Sequence, residues 1–297
     1  MEKSLVINGQ RINWGLKTYI MGILNLTPDS FSGDGLLDDD SSSEFIQLDL
    51  DLVLEKAKYL AENGADIIDI GGESTKPGAQ PVSAESEIER VLPAIKIITS
   101  KLDVLLSIDT YKASVAEIAL QNGAHIVNDV WGLRADPELA GVVSKYEAPV
   151  ILMHNRSSWA HAEIKERLGG HYVGIPYDNL LEDVKRELME SVSIARSSGI
   201  QDSKIILDPG IGFGKSVEQN LELVDRLNEI RNLGFPVLLG PSRKSFIGYT
   251  LNLPPDHRLE GTAAAVSIGI ARGADIMRVH DLPYMTRVIR MTDAIVR

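Results

Sequence analysis

The feature that most constrains this sequence is a repeated texture. Eight short runs rich in Ile, Val and Leu recur, each followed by polar or Gly-rich residues and then by a stretch of helical periodicity. The runs are YIMGIL (19–24), ADIIDI (65–70), VLLSI (104–108), HIVND (125–129), VILMH (150–154), KIILD (204–208), PVLLG (236–240) and DIMRV (275–279). They are near-continuous in apolar character, so they call for cover on both faces, as in a parallel sheet wrapped by helices. Helical periodicity fills 50–63, 86–100, 114–122, 137–146, 180–197, 218–233, 258–272 and 282–296. This alternation predicts an α/β fold, a single (β/α)8 TIM barrel, with 1–297 as one domain. A doubly wound open sheet alternates in the same way and is the runner-up.

The punctuation agrees with the barrel. Gly64, Gly123, Gly199, Gly234 and Gly273 each sit just past a periodic segment, where a left-handed helix stop favours glycine. Before the first run, LVINGQRINWG reads as a short N-terminal β-hairpin turning at Asn8 and Gly9 and plugging the bottom of the barrel.

Composition narrows the function. With 44% apolar and 24% charged residues the chain can fill a large core, and its formal charge of −12 argues against a nucleic-acid or anionic-membrane surface. An anionic ligand must then be caught locally. The absence of cysteine excludes disulfides, thiolate metal sites and a thiol nucleophile, and it suits a reducing compartment. The first residues, MEKSLVINGQRINWG, hold no apolar stretch of signal-peptide length, and the run 261–271 is too short to span a bilayer. A cytoplasmic location is expected.

In a barrel of this kind the chemistry sits at the carboxyl ends of the strands. Those ends carry Asn25, Asp69, Asp109, Asn128 and Asp129, His154 and Asn155, Asp208, the trio Ser242, Arg243 and Lys244, and finally Arg278, His280 and Asp281. Any one of these could merely cap a helix or tie two strands; Arg278 could pair with Asp281, and His280 could be a structural imidazole. A whole ring with both signs of charge calls for a ligand or a mutual network. Two motif readings fail. DPGIGFGKS has Pro209 where a phosphate-binding P-loop needs glycine and Lys215 where a dinucleotide fingerprint does, so its glycines are expected to let backbone pass beneath a flat ring. His125, His154, His161, His171, His257 and His280 form no HxH or HExxH pattern, which disfavours a zinc hydrolase.

The ordered segments MGILNLTPDSFS, DIGGESTKPGA, SIDTYK, NDVWG, DPGIGFGK, GPSRKSFIG and RVHD resemble the dihydropteroate synthase family from first strand to last. The resemblance implies a transferase of folate synthesis, a sulfonamide target, usually a homodimer. It would condense (7,8-dihydropterin-6-yl)methyl diphosphate with 4-aminobenzoate by dissociative loss of pyrophosphate followed by amine attack. It places the pterin among Asp109, Asn128, Met153, Asp208, Phe213 and Lys244, and the diphosphate on Asn25, Arg278 and His280, with Mg²⁺ at Asn25. It places 4-aminobenzoate at Thr75, Lys76, Pro77, Phe213 and Ser245, next to Lys244. The groups nearest the chemistry would be Lys244, Asp109, Arg278 and His280; no general base is implied, though Asp29 or Asp34 could help with the amine proton. A carboxylate suits the pterin edge because it accepts two parallel hydrogen bonds from ring nitrogen and amino group.

The sequence departs from the family twice: Lys76 stands where most members have Arg, and Gly33 intervenes before Asp34. Three rival readings are a class I aldolase using Lys244, a pterin-dependent methyltransferase with the same Asp, Asn, Asp pocket, and a binding protein whose amine site is disabled. The long stretches after the first two runs are expected to be lids, 38–40 a solvated acidic run, and the small-residue helix around 262–271 a subunit contact.

Overall fold

The computed structural model describes residues 4–27, 49–75, 79–158, 162–165, 167–173 and 175–297. Its strands are β1 Ser4–Ile7, β2 Gln10–Asn13, β3 Tyr19–Asn25, β4 Ile67–Gly71, β5 Leu105–Asp109, β6 Ile126–Asp129, β7 Val150–Met153, β8 Ala162–Lys165, β9 Gly169–Tyr172, β10 Ile205–Asp208, β11 Leu238–Leu239 and β12 Ile276–Val279. Its helices are α1 Leu50–Glu62, α2 Ala84–Lys101, α3 Ala113–Gln121, α4 Leu139–Lys145, α5 Leu180–Ser197, α6 Val217–Asp225, α7 Leu227–Arg231, α8 Ser245–Leu251, α9 Leu259–Ala271 and α10 Leu282–Val296. Eight of the strands form one sheet in the order β10, β7, β6, β5, β4, β3, β12, β11, and every pairing in it is parallel. A parallel bridge from Leu207 to Val237, at the foot of β11, joins its two ends. The sheet therefore closes as a barrel, and the open-sheet alternative falls.

Strand parity sorts the apolar residues into two cores. Ile68, Ile70, Leu106, Ile108, Val127, Leu152, Leu207, Leu239 and Met277 face outward into the layer shared with the helices. Met21, Ile67, Leu105, Ile126, Ile151, Ile206, Leu238 and Ile276 face inward and fill the bottom of the barrel together with Leu5, Ile7, Ile12 and Trp14 of the β1–β2 hairpin. The hairpin turns at Asn8 and Gly9 with φ of 47° and 75°, the left-handed pair a tight two-residue turn needs. Trp14 meets Tyr19 edge to face at 5.8 Å, and the Tyr19 hydroxyl accepts from the Asn13 amide at 2.6 Å. The plug is as expected, and it leaves the other end of the barrel for polar residues.

Three details differ from the sequence reading. The 218–233 helix is broken at Arg226, whose φ and ψ of −104° and 24° separate α6 from α7. The seventh barrel strand shrinks to two residues, because Gly240 and Pro241 leave the ladder before Ser242. The antiparallel hairpin β8–β9 and the short helix α8, which no periodicity announced, rise beside the mouth. Asp29, Gly33, Asp34, 38–40, Lys76, Pro77 and His161, and with them most of the first lid, lie outside the described residues.

Candidate active site

The inward parity that packs the bottom with Ile and Leu brings polar residues to the top. Register runs Asn25 beside Gly71, Gly71 beside Asp109, and Asp109 beside Asn128, while Asp208 pairs with Met153. A Cβ on Gly71 would come within 3.6 Å of the Asp109 Cβ and 3.9 Å of the Asn25 Oδ1, so its bareness opens the space between them. A cavity of about 190 Å³ at this end is lined by Asn25, Thr75, Asp109, Phe213, Lys244, Ser245, Arg278 and His280, among others. Asn128, Met153 and Asp208 are nearly closed from solvent and do not line it. Met153 and Phe213 share a small apolar cluster with Val130, flanked by Tyr111 and Trp131.

Arg278 ties the ring together. Its Nε donates to Asp69 Oδ2 at 2.6 Å and its Nη2 to Asp109 Oδ2 at 2.7 Å, while Asn128 Nδ2 donates to the same Asp69 oxygen at 3.0 Å. The pairing of Arg278 with Asp281 weighed from the sequence does not occur. Asp281 binds Arg243 instead, with Nε at 2.9 Å. Arg243 holds a left-handed φ of 55°, a costly conformation for a residue with a side chain, supported by its amide on Thr262 Oγ1 at 3.1 Å. Ser242, Arg243 and Lys244 all border the mouth, but the Arg243 guanidinium is engaged by the Asp281 carboxylate, which weakens the aldolase reading, in which it would lower the Lys244 pKa.

The electrostatics follow from burial against charge. Burial pushes the Asp109 carboxyl up to about 7, with Arg278 opposing and Asp69 and Glu87 adding to the rise. Burial likewise pushes Asp208 up to about 6, against the Gly210 amide, which donates to its Oδ1 at 2.7 Å, and against Lys244, Lys215 and Arg278. His280 is oriented by Ser242, whose Oγ accepts from the His280 amide at 3.2 Å and lies 3.0 Å from Nδ1. The Lys244 ammonium lies 4.1 Å from the centre of the Phe213 ring, a cation–π contact worth roughly 0.5–2 kcal/mol.

Some strand-end residues serve structure. Asp129 faces outward and accepts from the Trp131 and Leu133 amides, capping its own loop. Asn155 bridges the Val130 carbonyl and the Ser157 amide. Three features escaped the sequence reading. Lys215, fully buried, lies 3.0 Å from His154 Nδ1 and donates to the carbonyls of Gly210 at 2.9 Å and Phe213 at 3.0 Å, lacing the loop that carries Phe213 to the end of β7. The signal was a lysine closing a glycine-rich run; it was weighed only as a phosphate loop. Lys112 bridges Glu73 and Glu87, and Arg90 holds the Gly72 carbonyl at 2.8 Å, so the base of the second lid is pinned to α2. Leu168, Gly169 and Gly170, brought by β8–β9, form a further wall. Among the described residues no group of three His, Asp or Glu converges as a metal site.

Known proteins resemble this chain in sequence and fold. A family model described as pterin binding enzyme matches residues 21–280. A dihydropteroate synthase of Clostridium beijerinckii is 48% identical over 292 residues, covering 98% of this chain and 99% of that protein. The dihydropteroate synthase of Clostridium difficile, solved in the presence of pteroic acid, superposes with a TM-score of 0.82 at 48% identity, covering 96% of this chain and 98% of that one. The Xanthomonas albilineans dihydropteroate synthase with 4-aminobenzoic acid superposes with a TM-score of 0.85 at 34% identity, covering 99% of this chain and 98% of its own.

Proposed function

Because this chain belongs to the dihydropteroate synthase family of pterin-binding enzymes, we propose how its barrel mouth carries out that family's condensation. The enzyme joins (7,8-dihydropterin-6-yl)methyl diphosphate to 4-aminobenzoate, giving 7,8-dihydropteroate and pyrophosphate in folate synthesis. The whole chain, 1–297, works as one pterin-binding domain. The observation that carries the mechanism is Arg278 reaching Asp109 across the mouth: the acidic pterin pocket and the cationic diphosphate end adjoin on one rim.

The pterin edge binds Asp208 and Asp109 by paired charge-assisted hydrogen bonds, with Asn128 completing the set. Met153 and Phe213 cover the ring, and Lys244 borders it from above Phe213. The diphosphate meets Arg278, His280 and Asn25. Asn25 offers a single hard oxygen beside two basic side chains, which fits Mg²⁺ carried in on the diphosphate rather than an ion caged by protein. Such an ion would add positive charge at the leaving group.

As the bond from the methylene carbon to the diphosphate oxygen breaks, its electron pair leaves with pyrophosphate. The cation left on the methylene is spread into the pterin ring, between the carboxylates of Asp109 and Asp208. The amine nitrogen of 4-aminobenzoate then bonds to that carbon and releases a proton. Arg278 and His280 act by preorganised charge, where losing one well-placed donor costs on the order of 10²–10³ in rate. The amine substrate lies between Phe213 and the second lid at Thr75, Lys76 and Pro77, its carboxylate toward Ser245 and Lys244. A Yersinia pestis relative is solved with a sulfonamide drug, and the same amine site would take sulfonamides here.

A cytoplasmic, homodimeric enzyme is part of the proposal. The cysteine-free chain suits a reducing compartment. The adjoining helices α9 and α10 leave Ile268, Met291 and Ile295 exposed, an apolar face suited to a second copy. The test of function is pyrophosphate release with and without 4-aminobenzoate. Release coupled one to one with dihydropteroate supports the reading, and no turnover with both substrates contradicts it.

A further inference from the structure

Asp69, fully buried at the heart of β4, belongs neither to the pterin edge nor to the diphosphate site. One of its oxygens, Oδ2, accepts both from Arg278 Nε at 2.6 Å and from Asn128 Nδ2 at 3.0 Å. The other, Oδ1, is buried with no hydrogen-bond partner among the described residues. A carboxylate is a costly spacer in such a place, since an unpaired buried oxygen forfeits its hydration. Its two contacts point to a use. An arginine-paired carboxylate only accepts hydrogen bonds, so Asn128 must present its NH₂ to Asp69 and its carbonyl oxygen to the other side. Arg278 is gripped by its Nε edge, while its Nη2 reaches Asp109.

Arg278 and Asp109 satisfy each other, yet under the proposed placement the substrate needs both, one at each end. If Asp109 were the sole counter-ion of Arg278, their separation would leave a half-buried guanidinium unpaired until the diphosphate reached it. We propose that Asp69 is a positioning residue for the condensation: it keeps Arg278 paired through Nε while Nη2 passes from Asp109 to the diphosphate, and it turns the Asn128 carbonyl toward the pterin. The inference rests on the substrate placement given under Proposed function.

Asp69→Asn tests it, because an amide oxygen in the Oδ2 position keeps both contacts and removes the charge. Arg278 then clings to Asp109. The affinity for the pterin diphosphate and kcat should each fall at least tenfold, with KM for 4-aminobenzoate unchanged within twofold. The Asp69 charge also contributes to raising the Asp109 carboxyl, so the acid limb of kcat/KM for the pterin diphosphate should move to lower pH, by about half a unit or more. Parallel loss in both substrates with an unmoved acid limb overturns the proposal in favour of a structural role, and so does unchanged kinetics. Wild-type enzyme gives a second test through arginine ¹⁵N NMR, which does not depend on the variant folding. On saturation with pterin diphosphate the Arg278 Nε–H should stay protected from exchange while the Nη signals shift; loss of Nε–H protection overturns the proposal. If Asp208→Asn leaves pterin affinity intact, the parent reading has failed; if only the Asp69 tests fail, that reading stands.

Discussion

At single residues, the site is governed by carboxylates that the fold itself buries. Asp109 is held near 7 and Asp208 near 6, both by burial above all. Each must be ionised to accept paired hydrogen bonds from the pterin edge. The sign is therefore fixed: lowering the pH through 7 and then 6 protonates them and removes acceptors. We predict that kcat/KM for the pterin diphosphate is flat above about pH 8 and falls steeply toward pH 5; a flat profile down to pH 5 contradicts this. The same raised values make the folded protein bind more protons than the unfolded chain between about pH 4 and 7. Their contribution to stability is thus complete below about pH 4 and declines as the pH rises through 6 and 7. The residue types at the strand ends were legible in the sequence. Their partners were not: Arg278 pairs with Asp69 and Asp109, far removed in sequence, and it is the pairing of the last strand, β12, with the first barrel strand, β3, that brings them together.

At the level of elements, the loop after β10 shows why a local motif can mislead. Its glycines at 210, 212 and 214 have φ of 70°, 83° and 65°, and a Cβ on Gly210 would fall 1.9 Å from the His154 carbonyl oxygen. The loop is thus pressed against the end of β7, and the buried Lys215 ammonium laces it there. Burial pulls that ammonium down to about 7, and it serves as an internal cross-link rather than a phosphate hook. Lys215→Met should lower unfolding free energy by roughly 2–5 kcal/mol, because it strands buried acceptors; urea denaturation within about 0.5 kcal/mol of wild type would refute this. Helix and strand positions were readable because apolar periodicity is a local property. The β8–β9 hairpin was not, since its four-residue strands carry Gly169, Gly170, Glu163 and Lys165 and draw their order from neighbours: Tyr249 stacks on His171 at 4.0 Å and donates to the Gly169 carbonyl. The break at Arg226 has the same character. The 218–233 periodicity runs straight through it, while Arg226 itself binds Glu222 and Glu229 on either side.

For the whole molecule, the two ends of the barrel divide stability from chemistry. The bottom is closed by the β1–β2 plug, whose Trp14 is 6% exposed. Trp14→Ala should cost about 3–5 kcal/mol of stability by opening a cavity, while KM for both substrates at a temperature where the variant is folded stays within twofold. Equal loss of substrate affinity would mean that the plug shapes the mouth. The exposed Ile268, Met291 and Ile295 predict a dimer in solution, and Ile268→Asp should shift sedimentation toward the monomer; an unchanged profile removes this face from the interface. At the top, under the proposed reading, one substrate is held at both ends by side chains from strands all round the sheet. The most direct test of that arrangement is calorimetry of 6-hydroxymethyl-dihydropterin and of its diphosphate on wild type, Asp208→Asn and His280→Ala. The account predicts that Asp208→Asn weakens both ligands at least tenfold and His280→Ala only the diphosphate. Unchanged affinity of Asp208→Asn for the bare pterin would contradict it.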